Sequence, residues 1–377
     1  MQYRPFGSTG FQVSALGFGA MRLPLRSAGA GEIDEPQAID MIRLAIEGGV
    51  NYVDTAYGYH EGRSEVIVGR ALQDGYRKQV KLATKLPSWR VKGAGDFDRF
   101  LGEQLRRLGT DRIDYYLLHC LDSTSWPRLQ KLGILDRAER ALRDRRIGAL
   151  GFSFHDALPL FKSIVDAYPW TLCQIQYNYL DVGFQAGRAG LAYAAARGLP
   201  VVVMEPLRGG QLAQSPPAAV AAIWAQAGTQ MSPVERALQW LWNQPEVTTV
   251  LSGMSTLQQV KVNLASAERA RPHSLSESEQ ALYVAAKAAL DGLEPVPCTR
   301  CDYCMPCPNG VDIPRAFALY NEAIAYGDLP ETRRAYRQLV ENGGTAAKCE
   351  RCGECEPKCP QKVPVGEWME KVKERFR

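Results

Sequence analysis

Residues 15–19 read Ala15-Leu16-Gly17-Phe18-Gly19, and the choice of fold turns on them. A short apolar run that closes on glycines opens either of two α/β architectures. In a doubly wound open sheet, the first strand delivers a long glycine-rich turn onto a dinucleotide's phosphates. Gly17-Phe18-Gly19 is too short to make that turn. The rest of the first 270 or so residues decides the matter. Strand-like runs recur at 15–19, 52–54, 80–85, 115–119, 147–153, 173–176, 200–204 and 249–252. Amphipathic stretches lie between them. In 36–48, Ile39, Ile42, Ala45 and Ile46 share one side. In 96–108, Phe97, Phe100, Leu101, Leu105 and Leu108 oppose Arg99, Glu103 and Arg106. Both stretches keep the 3.6-residue period of a helix. Eight strands alternating with helices predict an α/β protein with a (β/α)8 TIM barrel over residues 1–275.

Barrel enzymes place their reacting groups at the C-terminal ends of strands. The second strand ends at Asp54, with Tyr59 following in Asp54-Thr55-Ala56-Tyr57-Gly58-Tyr59. The third ends at Lys85, and the fourth at His119 after Tyr116-Leu117-Leu118. Singly, these are a surface lysine, a core histidine and a loop aromatic. Together on adjacent strands they suit acid-assisted carbonyl reduction. A hydride arriving at a carbonyl carbon leaves an alkoxide that needs a proton. Tyrosine, with an ordinary pKa of about 10, is a poor acid unless a cation stabilises its phenolate. Lys85 supplies that cation, Asp54 holds it, and His119 donates to the carbonyl oxygen. Tyr57, Trp89, Leu121 and Trp126 are candidate pocket walls.

Residues 276–377 have a different character. After the linker 271–276 and a helix through Leu290 come Cys298, Cys301, Cys304 and Cys307 with Pro308, then Cys349, Cys352, Cys355 and Cys359 with Pro360. The second run is C-x2-C-x2-C-x3-C-P, the spacing by which ferredoxins hold iron–sulfur clusters. Zinc asks only for two pairs per site and explains neither the third cysteine nor the prolines. Two runs of four predict two 4Fe–4S clusters with crossed ligation. Cys298, Cys301, Cys304 and Cys359 hold one; Cys349, Cys352, Cys355 and Cys307 hold the other. Only two residues separate Cys304 from Cys307, so the first loop is tighter than the second. Helix formers fill the spacer at 314–326 and 331–341. Cys120 and Cys173 stand apart in apolar runs, where buried free thiols are expected.

On the residues quoted, the first 270 positions resemble the aldo-keto reductase superfamily. Further matches are Gly151-Phe152-Ser153, residues 174–178, Pro206-Leu207-Arg208-Gly209-Gly210, Ser252-Gly253-Met254, Gln259 and Asn263. With the cysteine runs, the chain resembles the iron–sulfur-containing branch, and its C-terminal part resembles α-helical ferredoxin-type modules. The resemblance implies Asp54, Tyr59, Lys85 and His119 as the catalytic set. It implies Ser153 and Gln174 at the nicotinamide carboxamide, Met204 beside the ring, and Leu207, Gly209 and Gly210 near the pyrophosphate. Ser252, Gly253, Ser255, Gln259 and Asn263 would line the adenosine end. Met204 stands where an aromatic ring is common, and Phe154 where asparagine is, with His155 next to it. Gly253 and Gln259 replace two cations usual at the 2′-phosphate of NADP. That loss counts against NADP, while Lys261 offers a remaining cation; the resemblance implies NADP or NAD, with NADP favoured.

The chain has 377 residues, 46% hydrophobic and 23% charged, with a formal net charge of +4. That weak charge suggests neither nucleic acid nor membrane as a partner, and no apolar run approaches a membrane span. Met1 leads into Gln2-Tyr3-Arg4 with no leader-like segment, so a reducing, cytoplasmic setting is expected. The expected partners are a small carbonyl or alcohol substrate and an external flavoprotein or ferredoxin. A hydride carries two electrons, each cluster takes one, and no flavin fingerprint is visible to split the pair. The alternative function is redox sensing or electron transfer, with the barrel as a nicotinamide-binding scaffold; the intact polar set favours the enzyme.

Overall fold

The computed structural model describes residues 1–26, 32–293, 295–327 and 329–377. By its contacts the chain divides into two compact units: Met1–Pro206 with Glu235–Ser274, and Leu207–Val234 with Leu275–Arg377. The sequence reading has no counterpart for the excursion at 207–234.

The first unit opens with an antiparallel hairpin, β1 (Tyr3–Pro5) and β2 (Gln12–Ser14). Eight strands follow: β3 (Leu16–Gly19), β4 (Tyr52–Asp54), β5 (Lys81–Leu86), β6 (Ile113–Leu121), β7 (Ile147–Phe154), β8 (Leu172–Gln176), β9 (Val201–Met204) and β10 (Val247–Ser252). They close into a barrel in the order β10-β3-β4-β5-β6-β7-β8-β9, every neighbouring pair parallel. This is the (β/α)8 TIM barrel expected from the sequence.

The hairpin was not foreseen, because three-residue strands carry no readable period. Its role follows from what it touches. Phe6, between the two hairpin strands, is fully buried against Tyr52 and Tyr115, with ring centroids 6.1 and 4.9 Å away. With Val13 they form one apolar cluster that includes Leu172 and Leu251. Tyr52 and Leu172 begin their strands, so the hairpin closes the N-terminal end of the barrel and leaves the C-terminal end for chemistry.

Helices α1 (Glu35–Glu47), α2 (Arg63–Ala71) and α3 (Asp96–Leu108) pack around this side of the barrel. In α3, Phe97, Phe100, Leu101 and Leu108 are buried as their spacing predicts, each side chain contributing about 1.5–3 kcal/mol. Leu105 is only half-buried, and Gln104 takes the inner position instead. Gln104 is tolerated there because its amide is fully used. Its Oε1 accepts from Tyr116 Oη (2.7 Å), and its Nε2 donates to Glu65 Oε1 (2.6 Å) and Lys85 O (3.1 Å).

In the second unit, helices Ile313–Tyr326, Pro330–Glu341 and Val365–Arg375 enclose a core that includes Phe317, Tyr320, Leu339 and Met369. Cys298, Cys304, Cys307, Cys349, Cys355 and Cys359 pack against that core. Ser276 and Glu279 form a reciprocal cap on helix Glu277–Asp291, whose Tyr283 meets Trp224 with ring centroids 4.9 Å apart. Among the described residues, no helix is long and apolar enough to cross a membrane.

Candidate active site and cluster-binding loops

The parallel register sets the site. Gly19 pairs with Asp54, Asp54 with Ala83, and Lys85 with Leu117, so the ends of β4, β5 and β6 stand side by side. Lys85 is fully buried, and its ammonium meets three oxygens: Asp54 Oδ1 at 2.5 Å, Thr55 O at 2.8 Å and Tyr59 Oη at 3.4 Å. The same Nζ lies 4.9 Å from the centroid of the Tyr59 ring. Asp54, Tyr59 and His119 are also buried. The His119 ring stands edge-on to Tyr59 with centroids 6.0 Å apart, and Trp89 lies 5.1 Å from it on another side.

Burial dominates the electrostatics. It raises the Asp54 carboxyl, while the adjacent Lys85 ammonium pulls the other way. His119 is pushed well below the ordinary histidine value, first by burial, then by Lys85 and by His155. His119 is therefore a neutral imidazole near pH 7, able to donate one N–H.

The turn that presents Tyr59 is unusual. His60, Glu61 and Gly62 have φ of 49°, 57° and 88°, three successive residues in the left-handed region. Only Gly62 adopts it freely. The surroundings hold the others: His60 Nε2 accepts from Leu23 N (3.2 Å), and Arg107 donates to Tyr57 O (3.2 Å). Arg107 also pairs with Glu65, which accepts from Thr84 Oγ1 (2.7 Å) next to Lys85. A polar network thus braces both Lys85 and the tyrosine turn from behind. The sequence reading missed Glu65, Gln104 and Arg107; the only hint was a glutamine on an apolar helix face.

Ser153 and Gln174 are register partners on β7 and β8, both buried. Ser153 Oγ accepts from Cys120 N (2.8 Å). Gln174 Nε2 lies 3.5 Å from Met204 Sδ, while Gln174 Oε1 is buried and meets no donor among the described residues. An orphaned amide oxygen at a strand end fits a ligand bearing an N–H₂ group, as a nicotinamide carboxamide does. His155 is turned to Gln185, 3.2 Å away.

At the end of β10, Ser252 Oγ accepts from Asn263 Nδ2 (3.0 Å). Gln259 Oε1 accepts from Ser255 N (2.7 Å), and Thr256 caps helix Leu257–Ala267. Here the structure adds Arg22. Ser255 Oγ donates to its carbonyl (2.8 Å), and a Cβ on Gly253 would lie 2.8 Å from Arg22 Cγ. The space left by the missing side chain at Gly253 is filled by an arginine stem. Leu207, Gly209 and Gly210 belong to the second unit. Cys173 is buried, but Cys120 is only half-buried, lifted by a left-handed turn (φ 52°) at the strand end.

The cluster loops repeat one backbone pattern. Arg300 and Asp302 in the first run have φ of 53° and 64°; Arg351 and Gly353, at the same offsets in the second, have 56° and 77°. Cys304 is raised by burial and then by its neighbours Cys301, Cys298 and Cys359. Cys298, pushed up to about 11 chiefly by burial, also feels Cys359. Cys359 thus lies within electrostatic reach of Cys298 and Cys304, while Cys355, at about 11, is raised by burial and also by Glu356, Cys349 and Cys352. Among the described residues, no three Cys, His, Asp or Glu side chains converge on a point suited to a single ion. A cubane takes its thiolates on separate irons and does not ask for that convergence; the donors present, four thiols in each run on loops of matching backbone, are of the kind it takes.

Comparison with known proteins completes the picture. Residues 15–279 match the aldo/keto reductase family. The chain belongs to that family. Residues 297–364 match a 4Fe–4S dicluster domain. The NADH-specific methylglyoxal reductase of Escherichia coli (strain K12) is 27% identical over 309 residues, 70% of this chain and 93% of that protein. The L-galactose dehydrogenase of Arabidopsis thaliana is 30% identical over 301 residues, 70% and 88% of the two chains. An aldo-keto reductase from Bacillus halodurans in its holo form superposes with a TM-score of 0.63 at 27% identity, covering 76% of this chain and 96% of its own. This family member is thus an oxidoreductase-type barrel joined to a ferredoxin-type domain.

Proposed function

We propose that this aldo/keto reductase interconverts a small aldehyde or ketone with its alcohol, using a nicotinamide dinucleotide and Tyr59 as general acid. The observation that carries the reading is the buried Lys85 ammonium shared between Asp54 Oδ1 and Tyr59 Oη. The reduced nicotinamide, when bound, supplies the hydride. Tyr59 gives its phenolic proton to the carbonyl oxygen as negative charge develops there. Lys85, already bonded to the phenol oxygen, stabilises the phenolate that remains. Asp54 fixes Lys85, and neutral His119 donates an N–H to the same carbonyl oxygen and orients it. Ser153 and the orphaned Gln174 Oε1 hold the carboxamide beside Met204; Ser252, Gly253, Ser255, Gln259 and Asn263 hold the adenosine end. Leu207, Gly209 and Gly210 are assigned to the pyrophosphate on sequence grounds alone. Relatives named for methylglyoxal and L-galactose support a small polar substrate.

NADPH is the favoured cofactor on sequence grounds; the Arg22 stem lies across the position Gly253 leaves bare, and we assign its guanidinium as the cation for the 2′-phosphate. The clusters, held by the two cysteine runs in a reducing, cytoplasmic setting, form an accessory module. Cys352 is the exposed ligand and marks the edge for an external flavoprotein or ferredoxin. The test is anaerobic oxidation of NADPH and NADH against a panel of small carbonyls. Turnover must depend on the carbonyl, with one alcohol formed per nucleotide oxidised. Arg22→Ala should weaken NADPH about tenfold, the worth of one charge-assisted contact, and leave NADH nearly unchanged. Equal losses for both nucleotides would contradict the 2′-phosphate role of Arg22, and nucleotide oxidation independent of carbonyl would contradict the reading itself.

A further inference from the structure

Arg300 lies between the first two cysteines of the first run and touches two things at once. Its backbone N–H donates to Cys298 Sγ (3.4 Å), while its guanidinium donates to the carbonyl of Gly209, 91 positions away in sequence. A second link runs alongside, from Gln211 Nε2 to Cys298 O (3.1 Å). The fit between the two segments is close. Gly209 (φ 64°) would place a Cβ 2.1 Å from Thr299 O, and Gly210 (φ 91°) would place one 2.9 Å from Arg300 Nη2. No other residue type can stand at Gly209 while Thr299, itself buried, keeps its place.

The second run is built alike. Arg351, at the same offset and with the same left-handed backbone, lays its stem 3.4 Å from the Cβ position of Gly366 on helix Val365–Arg375. In the first run the arginine two places after the first cysteine is hydrogen-bonded to a distant glycine; in the second, Arg351 only packs against the Gly366 position. For an arginine the left-handed backbone is unfavourable in isolation, and it persists only where surrounding bonds hold it. In the first run, one such bond is the N–H on Cys298 sulfur. A thiolate bound to iron accepts that bond more strongly than a thiol does. Loading of the cluster therefore favours the Arg300 conformation that places its guanidinium on Gly209.

We infer that segment 207–211 reads the occupancy of the first cluster through Arg300 and Gln211, which act as positioning residues. The inference rests on the cysteine run as cluster ligand. Its effect on nucleotide binding rests further on the assignment of Leu207, Gly209 and Gly210 to the pyrophosphate. If both assignments hold, the one-electron module would act on nucleotide binding by ordering this loop, with no electron passing between them.

The test is hydrogen exchange on the full-length protein under anaerobic conditions, in three forms: loaded, stripped of iron by chelator, and Arg300→Ala with iron content verified. Amides of 207–213 should exchange about tenfold faster in both altered forms than in the loaded protein, the change expected when a charge-assisted bond is lost. Should Arg300→Ala lose iron, Gln211→Ala, whose side-chain amide donates to the Cys298 carbonyl, serves in its place. Equal protection of 207–213 in loaded protein and in an iron-replete variant would overturn the inference. NADPH affinity, followed by fluorescence on the same samples, separates the two readings. Affinity that falls with loop protection supports both. Faster exchange with unchanged affinity upholds the tie and overturns only the pyrophosphate assignment.

Discussion

Replacing Lys85 by methionine should abolish turnover and weaken the barrel at once. The ammonium is the cation beside the Tyr59 oxygen and the partner of a buried carboxylate. Without it, proton donation loses its electrostatic support, and carbonyl reduction should fall about a thousandfold. Breaking a buried pair by removing one member costs about 3–5 kcal/mol, because the other charge is left uncompensated. The pH dependence has a definite sign. Burial already raises Asp54 above the ordinary carboxyl value, and Lys85 is what restrains it. In Lys85→Met the folded-state pKa rises further, so the unfolded chain ionises first as pH increases. Stability is then fullest below the unfolded carboxyl value of about 3.9 and is lost as pH rises through the folded one. The urea midpoint of the variant should therefore fall between about pH 5 and pH 8 by more than that of the parent protein. A midpoint that moves in parallel with the parent would show that Asp54 is not buried as described.

Serine at Cys359 should remove one cluster, and the one lost should be that of the first run. Cys359 stands in sequence with Cys349, Cys352 and Cys355, but its charge is felt by Cys298 and Cys304 of the first run. Crossed ligation therefore predicts that Cys359→Ser and Cys298→Ser give the same product. Each should hold about four irons per chain against about eight in the parent, with identical paramagnetic spectra after reduction. Cys307→Ser should give the complementary spectrum. Because ligand binding is folding free energy for a small metal-held module, the Pro330–Glu341 and Val365–Arg375 helices should also lose protection. Matching spectra for Cys359→Ser and Cys349→Ser would mean that each run holds its own cluster, contrary to crossed ligation.

What the sequence made legible divides along physical lines. The barrel strands were readable because each is a short apolar run bounded by helical periods, and their ends carried Asp54, Lys85 and His119 in view. The cysteine spacing was readable because ligand geometry leaves little freedom. The hairpin at Phe6 was not, since three-residue strands have too few alternations to show a period. Gln104 and Glu65 were hidden for another reason: a polar residue is buried only where partners from several elements meet it, and those partners are far apart in sequence. Arg22 escaped because its value depends on a glycine far along the sequence, Gly253, which follows β10 and is brought beside it by the pairing of β10 with β3. Arg300 and Gly209 belong to the same class, two loop residues joined only by tertiary structure.

The central claim is that Tyr59 donates the proton, and it meets its most direct test in Tyr59→Phe. The substitution keeps the ring and removes only the oxygen bonded to Lys85. Loaded with reduced nucleotide and mixed anaerobically with carbonyl substrate in a single turnover, the variant should reduce it about 10²- to 10⁴-fold more slowly than the parent. Nucleotide affinity should stay within about twofold of the parent value, as for an interaction made only in the transition state. A single-turnover rate equal to that of the parent would contradict the account.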